Sequence, residues 1–290
     1  MIIYKIEQYK DVQKFYNDTK SFLLRKEVKN NLVISILKRI QKNPHLFGDE
    51  DPLLLRVLKN GIIQLAAIRT PPYSLVLSDT SEIKSIKKLV KYLADKNESL
   101  PGIIGFKEGA KTFAEDWSEI FHQNYELGTN ERIYKLEEVN TSLLKSTSNE
   151  LVQTDENYEF KILNWAKKFI FEALPDEKDK IKNSLERTKK EIKKGAIFLL
   201  LNQNIPVSMA RMAGETLNGR IVNLVYTPPK FRKKGYATEL VAKLSQHILD
   251  LGYKFCLLFT DLSNPTSNKI YMNVGYKPIT DVDMYNFSDN

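Results

Sequence analysis

The sequence holds one cysteine, Cys256, so no disulfide can form within the chain. Its three histidines, His45, His122 and His247, lie far apart, and no Cys/His spacing suits zinc, so no metal cofactor is expected. Long apolar runs are missing: the longest, residues 196–201, is far short of the roughly 20 residues a membrane helix needs. The first ten residues alternate apolar with charged side chains and lack the apolar centre of a secretion signal. A cytoplasmic protein without a membrane partner is expected. Arginine is scarce as well, nine residues in a Lys+Arg total of 44 against 36 Asp+Glu, for a net charge of +8. The lysines are spread beside glutamates rather than gathered, and the richness in Lys, Asn and Ile resembles the bias of an AT-rich genome. That pattern argues for a solvated surface and against a nucleic-acid footprint, while leaving open local attraction for an anionic ligand.

What is present favours a packed protein: 42% of residues are apolar and 10% aromatic. The length favours two domains. In the first half, residues 2–6 read as a strand, followed by helical patterns over 9–22 and 30–43. Strands follow at 61–69 and 74–77, with Thr70-Pro71-Pro72 between them. Ser81 is expected to cap a helix over 83–95, and 100–105 reads as a strand before a helix over 110–124. Residues 127–139 are strand-like, and the Ser/Thr/Asn-rich stretch that follows is the best linker candidate. In the second half, Phe160, Leu163, Ala166, Lys167 and Ile170 fall on one helical face, and residues 176–194 begin acidic and end basic before Gly195, as a second helix does. Strands at 196–201, 207–213 and 220–227 precede a long amphipathic helix over 236–251, a buried-type strand over 255–260, a short helix and more strands. The expectation is an α/β protein of mixed layers: a first α/β domain over 1–140, a linker over 141–154 and a second domain over 155–290.

The chemistry concentrates after the strand ending at Thr227. Pro228 and Pro229 force an extended exit, and Arg232-Lys233-Lys234-Gly235-Tyr236-Ala237-Thr238 opens the long helix. Gly235 can take positive φ and let backbone N–H groups converge, Ala237 permits close approach, and the helix N-terminus adds partial positive charge to three full ones. The pattern suits a phosphate; the plainer alternative is a basic exposed turn. The stretch resembles the acyl-CoA-binding motif of the GNAT acyltransferase superfamily, [Arg/Gln]-x-x-Gly-x-[Gly/Ala], through Arg232, Gly235 and Ala237. A second motif follows at the family's distance, Asn264-Pro265-Thr266-Ser267-Asn268-Lys269-Ile270-Tyr271 and then Gly275-Tyr276. The resemblance covers residues 151–287, about half the chain.

The resemblance implies a GNAT fold for residues 155–290, acetyl-CoA as co-substrate, and acetyl transfer to a primary amine of a small molecule or peptide by direct attack. It further implies a strand splayed at Leu224, Val225 and Tyr226, whose main-chain groups pair with the pantetheine arm, with the Val225 N–H as oxyanion donor. It makes Tyr271 the general acid for the leaving thiolate, though a tyrosine there is also often a core residue. Asn264 is implied as a pantetheine contact and could equally form an Asx-turn, and Ser267 or Asn268 is most simply a helix cap. An alkyl ammonium with a pKa near ~10 must lose its proton before attack, and Glu215 and Asp261 are the nearest carboxylates in sequence to serve as base. Cys256, inside an apolar strand, reads as inert core. Two alternatives remain: a tandem-GNAT aminoacyltransferase using charged tRNA, against which the intact CoA loop argues, and a non-catalytic acyl-CoA sensor. Finally, residues 68–73 echo residues 225–230 at an offset of 157, with no basic glycine loop after them. The first half is therefore expected to be a degenerate GNAT-like repeat that serves the acceptor side.

Overall fold

A computed structural model describes residues 2–144, 148–173 and 181–289. The described chain folds around one continuous sheet of twelve strands. Its first half runs β1 (Tyr4–Tyr9), α1 (Val12–Leu24), α2 (Asn31–Lys42), β2 (Leu53–Lys59), β3 (Ile62–Arg69), β4 (Leu75–Leu77), α3 (Ile83–Asp95), β5 (Gly102–Phe106), α4 (Lys107–Phe121) and β6 (Asn124–Leu136). The second half repeats that order: β7 (Asn149–Gln153), α5 (Glu159–Ala173), α6 (Ile181–Lys193), β8 (Ile197–Asn202), β9 (Ile205–Glu215), β10 (Gly219–Tyr226), α7 (Tyr236–Asp250), β11 (Phe255–Asp261), α8 (Pro265–Val274) and β12 (Lys277–Ser288). In both halves four antiparallel strands lead to one parallel pair, β4 with β5 and β10 with β11. The last strands are then exchanged. β6 pairs with β11 of the other half, β12 pairs with β5, and the two lie antiparallel at the centre. Arg132 grips both carboxylate oxygens of Asp281 through Nε and Nη2 (2.6 and 3.0 Å) across this central pair.

Apolar side chains fill both faces. One face of the second half buries Val222, Leu240, Leu244, Leu258 and Tyr276 under α7 and α8; the other buries Ile162, Trp165, Ile192, Leu199 and Tyr226 under α5 and α6. The halves also meet where Val28 packs on Ile221, Phe255 and Leu257. Near that contact, Glu27 accepts hydrogen bonds from the Asn218 backbone and side chain, each at 2.7 Å.

Several expectations are corrected. Residues 149–153 are an edge strand paired with β8 rather than part of a linker. Their polar composition conceals Leu151 and Val152, which pack into the clusters on opposite faces of the sheet. The acidic start of the helix expected over 176–194 falls partly outside the described residues. On α5, Phe160 is 85% exposed while Ile162, Trp165, Ala166 and Ile170 are buried, so the buried stripe is rotated from the one expected. Glu82, not Ser81, occupies the cap position of α3, and its backbone N–H donates to Thr80 Oγ1.

The repeat is real, but the echo that suggested it is not its register. Thr70-Pro71-Pro72 joins β3 to β4, whereas Thr227-Pro228-Pro229 leaves β10, whose counterpart is β4. The first-half counterpart of the basic loop is Ser78-Asp79-Thr80-Ser81-Glu82. That segment has no glycine, and its two carboxylates are paired, Asp79 with Lys26 and Lys29 and Glu82 with Lys59.

Candidate active site

β10 and β11 are hydrogen-bonded only from Gly219 to Ile221, opposite Phe255 to Leu257. Beyond that point β11 continues along β6 and β10 along β9, so the parallel strands part. The pairing of β10 with β9 slips between Asn223 and Tyr226, where Leu224 takes φ +51°. A bulge of this kind turns main-chain groups out of the ladder and leaves them for another partner. Ser208, buried on β9, anchors the strand just past it, donating to the Tyr226 carbonyl (3.1 Å) and bonding the Thr227 hydroxyl (2.8 Å). Leu224 and Tyr226 turn toward α5 and α6, while Val225 packs on the α7 side.

After Tyr226 the chain makes a short 3-10 turn over Pro229–Phe231 and passes through Lys233 (φ +61°) and Gly235 (φ +81°) into α7. A Cβ built on Gly235 meets nothing within 4 Å, so the space before the helix is open and only the backbone conformation demands glycine. The first helical bond runs from Glu239 N–H to the Gly235 carbonyl, and no side chain caps the helix. The N–H groups of Tyr236, Ala237 and Thr238 thus have no acceptor within the helix, and Lys233 and Lys234 are exposed beside them. This set of donors and charges fits a pyrophosphate. Arg232 plays a different part from that expected. Its guanidinium donates to the Thr227 carbonyl (2.9 Å), pairs with Glu172 on α5 and lies over the Tyr226 ring, so its side chain secures the loop.

A groove of about 670 Å³ opens between the start of α7 and α8, lined by Thr238, Pro265, Thr266, Lys269, Ile270 and Met272, among others. Asn264 caps α8, its Oδ1 accepting from Ser267 N–H at 3.0 Å, which settles the cap on Asn264 rather than on Ser267 or Asn268. Asn268 is buried and holds the loop from β11: it donates to the carbonyls of Asp261 and Asn264 and accepts from the Tyr134 hydroxyl at 2.9 Å. Tyr271 lies on the inner side of α8, its ring 6.5 Å from Tyr134 and 6.1 Å from Tyr276. Burial pushes its phenol up to about 12, so it stays protonated at neutral pH. Cys256 is fully buried and likewise pushed up to about 12 by burial, which keeps its thiolate out of reach.

Glu215 is not brought to this place. It pairs with Arg220 (3.0 Å) and Lys38 (3.5 Å) at the opposite end of β10, where β10 and β11 are still joined. At about 3.3 Å per residue it lies roughly 13 Å along the strand from Leu224. Asp261 ends β11 on the surface, where its carboxylate accepts from Ser263 N–H at 2.7 Å in an Asx-turn. Among the described residues, no group of three or more His, Cys, Asp or Glu is gathered to hold a metal ion, and no helix is long and apolar enough to cross a membrane. Sequence reading missed Glu172, Ser208 and Tyr134; each is an ordinary helix or strand residue by pattern, and only the fold gives it a partner.

Residues 208–285 match the family model described as FR47-like protein. Among solved structures the chain is similar to a GNAT-family acetyltransferase from Colwellia psychrerythraea, with 10% identity, a TM-score of 0.53, and 99% of this chain and 100% of that one covered. It is also similar to a GCN5-related N-acetyltransferase from Sphaerobacter thermophilus (12% identity, TM-score 0.58, 98% and 94% covered). A third is a tandem GNAT protein from the clavulanic acid biosynthesis pathway (10% identity, TM-score 0.56, 99% and 98% covered). No curated protein matches the sequence. The chain therefore has the GNAT acetyltransferase fold, in a tandem arrangement, with the FR47-like match in its C-terminal region.

Proposed function

We propose that the protein is an N-acetyltransferase that moves the acetyl group of acetyl-CoA to a primary amine by direct attack in a ternary complex. The observation that carries this reading is the parting of β10 from β11 at a left-handed Leu224, directly ahead of the open, uncapped start of α7 at Gly235. In this reading the main chain of Leu224, Val225 and Tyr226 pairs with the pantetheine arm. The N–H groups of Tyr236, Ala237 and Thr238 receive the pyrophosphate, with Lys233 and Lys234 adding charge. Thr238 and the α8 residues of the groove flank the cofactor, near Asn264 and Ser267.

The Val225 N–H stabilises the oxyanion that forms when the amine attacks the thioester carbonyl. The C–S bond then breaks, and Tyr271 donates its proton to the departing thiolate. Glu215 is paired at the far end of β10, so Asp261, exposed at the end of β11, directly or through water, takes the ammonium proton. The first half lacks a cradle of its own and serves the acceptor side, as one of the two domains of a cytoplasmic enzyme. The test is a panel of primary amines incubated with acetyl-CoA and a thiol reagent: thiol release that depends on the amine supports transfer, while CoA binding without amine-dependent release returns the chain to a sensor.

A further inference from the structure

The loop that leaves β11 is held from the first half of the chain. Asp261 and Val225 each stand four residues past Leu257 and Ile221, the pair at which β11 and β10 part, so the two residues reach about the same level on the parting strands. β6, a first-half strand, runs beside this end of β11. Its Asn130 carbonyl accepts the Leu262 N–H at 3.0 Å, and its Tyr134 hydroxyl donates to Asn268 Oδ1 at 2.9 Å. Asn268 Nδ2 in turn donates to the carbonyls of Asp261 (2.9 Å) and Asn264 (2.7 Å). A chain of hydrogen bonds therefore runs from β6, through one amide, to the backbone of Asp261.

The anchor is itself fixed. Beside Tyr134 on β6, Arg132 grips Asp281 of β12, and Asn130 Nδ2 donates to Asp283 Oδ1 at 2.5 Å. Tyr134 and Asn268 are both buried. A buried amide on the inner side of a helix is costly unless its polar atoms are satisfied, and Asn268 satisfies its own on the first half and on the loop. Taking away the Tyr134 hydroxyl alone would leave Asn268 Oδ1 a buried acceptor without its donor. The amide then gains by turning toward another partner, which releases the two loop carbonyls. α8 keeps its cap meanwhile, because Asn264 Oδ1 accepts from Ser267 N–H independently of Asn268.

We propose that Tyr134 is a positioning residue for the transfer: through Asn268 it holds Asp261 where the carboxylate can take the proton that the ammonium must lose before attack. Tyr134 touches neither substrate nor cofactor and gives up no proton of its own. The inference rests on the transferase reading and adds to it a part for the first half in the chemistry itself. The exchange of strands then has a consequence for catalysis, because it sets a first-half strand against the loop that carries the second half's base.

The test is a double-mutant cycle on the full chain, with the best primary amine from the acceptor panel. Tyr134→Phe keeps the ring and should lower kcat roughly tenfold while leaving the KM for acetyl-CoA unchanged, since a small displacement of a reacting group is costly in rate. Asn268→Asp keeps the acceptor for Tyr134 but cannot donate to the two carbonyls, and should lower kcat to a similar extent. In an Asp261→Asn background the Tyr134→Phe change should cost less than about threefold, because the group it positions is already lost. In a Tyr271→Phe background it should still cost roughly tenfold. A merely structural role predicts the same cost in all three backgrounds, and that result overturns the proposal; so does coupling to Tyr271 in place of Asp261. A second readout needs no turnover: hydrogen exchange followed by mass spectrometry should show faster exchange at Leu262 and Ser263 in both Tyr134→Phe and Asn268→Asp, with the start of α7 unchanged. Unchanged exchange at the loop overturns the proposal even if transfer occurs. Faster exchange in a chain whose wild type turns over no amine would keep the anchored loop and remove the transferase reading.

Discussion

Glu172, near the end of α5, holds Arg232 of the loop while accepting the Tyr226 hydroxyl at 3.0 Å. One carboxylate therefore fastens both the strand that ends at the bulge and the turn that leads to Gly235. The pair is about two-fifths exposed on each side, and exposed pairs contribute about 0.2–1 kcal/mol. Glu172→Gln should thus raise the KM for acetyl-CoA about 2- to 5-fold with little change in kcat, as measured by steady-state kinetics.

Gly235 is required for its backbone rather than for room. Gly235→Val should weaken acetyl-CoA binding at least about tenfold, since a β-branched residue disfavours positive φ. Gly235→Asn should retain most of the affinity, because asparagine tolerates the left-handed conformation. Calorimetry on both variants, with melting temperatures to confirm folding, separates this from steric exclusion, which would penalise both.

Tyr271→Phe keeps the ring between Tyr134 and Tyr276 and removes only the proton donor. The kcat should fall about 10²- to 10⁴-fold with CoA affinity nearly unchanged. The pH profile follows from the sign of the shift. The acid acts in its protonated form, and a phenol pushed up to about 12 stays protonated as pH rises. The rate should therefore climb toward the pKa of the amine and show no descending limb below about pH 11. A fall near pH 9 would assign the acid to another group.

Asn264→Ala should lower stability by about 0.5–2 kcal/mol, the cost of losing a helix cap, read as a shift in the denaturant midpoint. Since α8 carries Tyr271, the same variant should lose some turnover even where it is fully folded.

Local patterns made most helices and strands of the second half legible, and the basic glycine turn marked the cradle without any fold. β2 left no alternation to read, because Leu53, Leu54 and Leu55 are all buried between β1 and β3. The exchange of β6 and β12 was invisible for a different reason: a strand's own pattern is the same whichever neighbour it pairs with. Glu172 and Arg232 pair across 60 residues of chain, from α5 to the loop before α7, so no spacing could announce them. Glu215 misled by proximity in sequence, since it ends β9 opposite Arg220 at the start of β10, the far end of that strand from the bulge.

A titration of the full chain with acetyl-CoA, run beside Gly235→Val, tests the single cradle most directly. One equivalent bound per chain, with affinity lost in the variant, is the expected result. Two equivalents would place a second site in the first half despite the paired Asp79 and Glu82. Undiminished binding by the folded variant would mean that the start of α7 does not hold the cofactor.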